Sequence, residues 1–176
     1  LAEGMQPVLD NAARQLSPKE YVLPRCEKLF TYRQNGAEPR IEPGVPEAKA
    51  TVVFGAHPCD VQAMNVLDRV FLDGRFHDPY YQARREKMVT VAYMCERKRW
   101  SCFCASVGDP VEWAKSADAA VTDLGGSYSV VTFTEKGEAL VSAAEALFSD
   151  AEQGDIAKRE SAWTTLGEAE EHYDPA

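Results

Sequence analysis

Four of the five cysteines in this 176-residue chain, Cys59, Cys95, Cys102 and Cys104, make an even set from which Cys26 stands apart. Thiolates are soft ligands that select zinc or iron–sulfur clusters. Cys102-Phe103-Cys104 is the sharpest local feature. Two cysteines one residue apart cannot easily bond to each other, but both can reach one metal or cluster. The plainer reading is two structural thiols flanking a buried Phe103. Cys95, seven residues before Cys102, and Cys59, further upstream, favour metal binding. In a chain of this size with no secretory signal, clustered cysteines more often bind metal than form disulfides.

Spacing alone does not separate zinc from iron–sulfur. Structural zinc sites usually use two C-x₂₋₄-C knuckles, and the chain has none. The ferredoxin run C-x₂-C-x₂-C-x₃-C is also absent. Charge leans towards a cluster. A four-thiolate [4Fe–4S] centre is anionic and gains from nearby cations and N–H donors. Arg97, Lys98 and Arg99 lie between Cys95 and Cys102, with Arg84, Arg85 and Lys87 ahead of them. We expect Arg97 and Arg99 to help hold such a centre; the alternative is a solvated basic loop. In His57-Pro58-Cys59-Asp60, Asp60 is expected to cap a helix whose amides favour a thiolate at Cys59. His57 is a possible ligand, but a satisfied loop histidine is the plainer reading. With three histidines and no Gly-x-Ser-x-Gly, a hydrolase is a poor fit. No P-loop or dinucleotide fingerprint is present.

These thiols need elements to hold them. Residues 50–56 and 88–94 are short Val- and Thr-rich apolar runs, the pattern of buried strands. Between them, residues 60–71 place Val61, Met64, Leu67, Val70 and Phe71 at helical spacing. Strand, helix, strand is a βαβ unit with parallel strands. Ligands bind beyond the carboxyl ends of such strands, where Cys59 and Cys95 follow. Residues 117–123 and 127–134 read as a hairpin around Gly125-Gly126. Residues 135–149 read as a helix. Short helices are expected within residues 1–16, after Ser17 and after Asp78, where Tyr80 and Tyr81 would be structural. Residues 38–49, rich in Pro and Gly, read as a surface loop. The expected fold is therefore α/β: a mainly parallel βαβ core sheet, extended by an antiparallel hairpin, with helices packed around it.

The chain is 45% hydrophobic and 27% charged, with net charge −9. This is the composition of a globular protein whose acidic surface argues against nucleic acid as a partner. No run approaches the ~20 apolar residues of a membrane span, and no signal peptide is visible, so a cytoplasmic location is expected. The division expected is residues 1–149 as the cysteine-containing domain and 150–176 as a polar helical linker. That linker would expose a stripe of Ile156, Trp163 and Leu166. The chain reads as a piece of a longer protein.

The phrases FGAHPCDVQAMNVLDRVFL, DPYYQARRE and CFCASVG, with YVLPRCEKLFTYR upstream, resemble one family. They are similar to the N-terminal region of the 4Fe-4S dicluster proteins. That family includes the beta subunit of hydrogenase or sulfhydrogenase and the corresponding iron–sulfur chain of anaerobic sulfite reductase. The resemblance spans residues 17–137. It implies a non-catalytic electron-transfer domain of a redox complex in anaerobic metabolism, followed by a ferredoxin-like part. Its expected partners are catalytic and flavin- or ferredoxin-type subunits. The expected cofactor is a [4Fe–4S] cluster on Cys59, Cys95, Cys102 and Cys104, with zinc as the alternative. The rival function is a zinc-stabilised or metal-free docking domain.

Overall fold

A computed structural model of the chain describes residues 17–34, 38–44, 48–98 and 102–168. The helix expected within residues 1–16 lies outside them. Six strands and several helices follow one another in the order β1 (Phe30–Gln34), β2 (Pro39–Pro43), β3 (Thr51–Ala56), α1 (Pro58–Phe71), α2 (Pro79–Glu86), β4 (Met88–Tyr93), α3 (Cys104–Val107), α4 (Pro110–Ala114), β5 (Ala119–Asp123), β6 (Tyr128–Thr132), α5 (Glu135–Ser142) and α6 (Gln153–Glu168). A 3-10 turn, Pro18–Tyr21, precedes them, with Ser17 at its cap.

The main sheet has the order β3-β4-β5-β6. β3, β4 and β5 run parallel, and β6 returns antiparallel to β5 through the Gly125-Gly126 turn. Both glycines have positive φ, 78° and 142°, which suits a residue without a Cβ. The expected α/β sheet with its hairpin is what the chain forms.

Alternation along the strands divides the core between the two sheet faces. Val53, Met88, Ala92 and Ala120 point to one face, where Val61 and Met64 of α1, Ala114 of α4, Tyr81 of α2 and Leu166 of α6 cover them. Val91, Tyr93, Ala119 and Val121 point to the other, against Val130 of β6 and Leu140 of α5. Asp78 starts α2 by accepting hydrogen bonds from the backbone N–H groups of Tyr80 and Tyr81 at 2.8 and 2.9 Å. Both tyrosines are structural. Tyr81 donates to Asp68 at 2.5 Å and stacks on Phe71. Tyr80 donates towards the carbonyls of Leu29 and Gly44, tying the β1–β2 ribbon to α2.

Three expectations are corrected. Residues 38–49 contain a strand, β2, whose Pro39 and Pro43 sit at its two ends on a two-stranded ribbon, where a missing N–H is tolerated. The helix expected over 135–149 ends at Ser142, and a 3-10 turn, Glu145–Leu147, follows. The stripe expected to be exposed on residues 150–176 is not free. Leu166 is 4% exposed within the core, and Trp163 is half-buried, donating from Nε1 to Thr122 Oγ1 at 2.9 Å. Leu166→Ala is therefore expected to cost about 2–4 kcal/mol. Urea unfolding followed by both circular dichroism and tryptophan fluorescence should shift as one transition. An α6 that only tethers something else would leave the midpoint unchanged.

Two core phenols give the fold an alkaline limit. Burial, then Asp123, pushes Tyr93 up to about 12. Burial, then the hydrogen bond to Asp68, raises Tyr81 as well. A phenol whose folded value lies above its unfolded value of ~10 stabilises the fold fully below that pH. The contribution is lost as pH climbs from ~10 towards 12. Phenolate absorbance from these two residues is expected to emerge late and together with unfolding, and Tyr93→Phe should reduce the steepness of the loss.

Candidate metal centre

The carboxyl ends of β3 and β4 deliver the site. Beyond β3 the chain turns at His57 into α1. Pro58 occupies the first helical position, where its missing N–H costs nothing. This makes His57 the N-cap, in place of the expected Asp60. Asp60 sits in the first turn, and its carboxylate accepts the His57 backbone N–H at 3.2 Å. Cys59 therefore lies inside the first turn of the helix, at its positive end. Beyond β4 the chain reaches Cys95, and after the basic loop it returns at Cys102. Cys104 opens the short helix α3.

Cys59 and Cys104 act on each other, although they are 45 positions apart in sequence. The Cys59 thiol is pushed far above the ordinary range, first by hydrogen bonding with Cys104, with desolvation and the Asp60 charge adding to it and the His57 ring acting in the opposite sense. Cys104 is lowered, first by the same hydrogen bonding. Cys102 and Cys95 oppose that lowering through their charges, and Lys98 assists it. Cys59 is exposed, while Cys95, Cys102 and Cys104 are half-buried. Cys26 is exposed on a separate segment after the 3-10 turn. Phe103, which the plainer reading of Cys102-Phe103-Cys104 would bury, is 69% exposed.

Of the basic groups, Lys98 is half-buried and acts on Cys104, whereas Arg97 is exposed. Arg99 lies outside the described residues. Arg84 and Arg85 serve the scaffold: Arg84 pairs with Glu27, and Arg85 with Asp68.

His57 is the residue that sequence reasoning undervalued. Its Nε2 is buried with no hydrogen-bond partner. A ring nitrogen of His57, the Cys59 sulfur and an Asp60 carboxylate oxygen all lie within 4.8 Å of one another. Among the described residues, no other three such groups are this close. A signal was available: Pro in the first turn makes the preceding residue the cap and places that side chain over residues two and three ahead.

The molecule is thus an α/β sheet protein whose two leading parallel strands, β3 and β4, are each followed at the carboxyl end by a cysteine, Cys59 and Cys95. The chain is similar to the sulfhydrogenase 2 beta subunit of Pyrococcus furiosus, with 28% identity over 149 residues, 84% of this chain. It spans 42% of that relative's length. No family model matches the chain, and no solved structure matches it. Among the described residues, no helix is long and apolar enough to cross a membrane.

Proposed function

We propose that this chain is an electron-transfer domain of a redox complex of the hydrogenase or sulfite-reductase type, with a [4Fe–4S] cluster held by Cys59, Cys95, Cys102 and Cys104. The observation that carries the reading is the placement of Cys59 and Cys95 just past the carboxyl ends of the paired parallel strands β3 and β4, with Cys104 acting on Cys59 and Cys95 and Cys102 acting on Cys104. The donor set suits the group, since four thiolates are the usual ligands of such a cluster. When bound, the cluster would accept and release one electron. The similarity to a sulfhydrogenase beta subunit supports a role among protein partners, the catalytic and flavin- or ferredoxin-type subunits of such a complex. On this reading a ferredoxin-like part would follow residues 150–176, and the protein would work in the cytoplasm.

The chain's own residues hold the site in place. The first turn of α1 directs its amides at Cys59 and lowers the cost of negative charge there. Lys98 offsets part of the charge at Cys104. Arg97 and Arg99 would add to that offset or receive an acidic partner. Anaerobic purification followed by metal analysis, visible absorbance and low-temperature electron paramagnetic resonance tests the reading. About four iron per chain, with a signal that appears on reduction, is the expected result. One zinc per chain would support the docking-domain reading, and no metal after anaerobic reconstitution would leave the thiols as scaffold. In the loaded protein, replacing Arg97, Lys98 and Arg99 together by Gln should lower the reduction potential. Removal of positive charge disfavours the added electron.

A further inference from the structure

We propose that His57, Cys59 and Asp60 form a second site, for a single borderline divalent cation of the zinc class, that is available when no cluster is bound. Imidazole nitrogen, thiolate sulfur and carboxylate oxygen are the three donor types such cations take. Their ligand atoms already lie within 4.8 Å of one another. Ligands on one tetrahedral ion lie ~3–4 Å apart, so side-chain rotation alone closes the gap. The His57 Nε2 is buried with its hydrogen-bonding capacity unused. A buried polar atom in that position costs free energy that a bound ion would remove. Asp60 spends one oxygen on the His57 N–H at 3.2 Å and retains lone pairs for an ion. The Asp60 charge, and that of Cys59 once its proton is displaced by the ion, counter the positive helix end, which by itself disfavours a cation.

Cys59 belongs to both donor sets, so the two occupants exclude each other; this exclusion rests on the four-thiol reading above. Loading a zinc-class ion at this end would block cluster assembly until the ion left.

Cobalt(II) titration of the anaerobic, cluster-free chain is the test, since thiolate-to-cobalt charge transfer reports a bound sulfur directly. The expected result is binding of one cobalt per chain, competed by zinc. His57→Ala and Cys59→Ser should each weaken it by at least about 10-fold, whereas Cys95→Ser and Cys102→Ser leave it unchanged. Iron and sulfide reconstitution should show the converse, with His57→Ala still assembling a cluster and Cys95→Ser failing. Circular dichroism confirms that each variant is folded, and His57→Gln, which keeps a polar cap, serves if His57→Ala is not. Cobalt binding that depends on Cys95 and Cys102 but not on His57 would overturn the proposal, as would no cobalt binding at all. The failure of Cys95→Ser to disturb reconstitution would instead count against the four-thiol cluster, leaving the His57 site standing.

Discussion

Replacing Cys104 by serine is expected to strip the iron from the anaerobically reconstituted chain, from about four atoms to fewer than one, and to abolish its visible absorbance. Cys104 is the lowered thiol of the set and the one with which Cys59, Cys95, Cys102 and Lys98 all interact. Serine keeps the size and the start of α3 but replaces a soft ligand by a hard, protonated one. Cys26→Ser is the matched control. It removes a cysteine that is exposed on another segment, and it should leave iron content and absorbance as they are. Equal iron in both variants would mean that the metal is held elsewhere. Equal loss in both would point to a general effect of thiol number on reconstitution.

Gly137→Ala is expected to be the most damaging single change to the scaffold. Gly137 lies in the first turn of α5, where its N–H donates to the Thr134 hydroxyl at 3.3 Å. A Cβ there would stand 2.0 Å from the Asp118 carbonyl oxygen and 2.8 Å from its carbon, both main-chain atoms of the segment entering β5. That segment cannot yield. The Asp118 N–H donates to the Thr90 carbonyl, and its carboxylate accepts from the Thr90 N–H at 2.8 Å and from the Thr134 hydroxyl at 2.6 Å. The helix must lift off the sheet, uncovering Val91, Tyr93 and Leu140, at a cost of about 3 kcal/mol. Gly154→Ala is the control. It meets open space in α6 and should stabilise by about 0.5–1 kcal/mol through the unfolded state. Denaturant midpoints of the two variants should move in opposite directions.

The strands and their order were largely legible, because Val- and Thr-rich runs such as 50–56 and 88–94 have few other solutions in a chain with helical spacing between them. The placement of β2 was not. Prolines at both of its ends look like a loop, and only the antiparallel pairing of Pro39–Pro43 with Phe30–Gln34 makes a ribbon of it. The docking of α6 was hidden for a similar reason. Its contacts are few and depend on Thr122 and Phe133, which come from distant strands. At the site, the positions of Cys59 and Cys95 just past strand ends could be read from the sequence. The unused nitrogen of His57 could not, since burial of one ring atom depends on everything packed around it.

β3 forms the outer edge of the main sheet, and among the described residues only β4 pairs with it. Val52 and Phe54, on the same sheet face as Val91, also leave about half their surface open. An edge like this invites strand addition by another chain and, at high concentration, aggregation. The register slips between Phe54 and Ala56, where Gly55 adopts φ 79°. This bulge leaves only Thr51–Phe54 as a regular ladder, too short to template a long intermolecular sheet. The same kink turns the chain out of the sheet just before His57, so the feature that blunts the edge also aims the first cysteine. Straightening it with Gly55→Val would be expected to raise light scattering on concentration, before any change in the midpoint of unfolding.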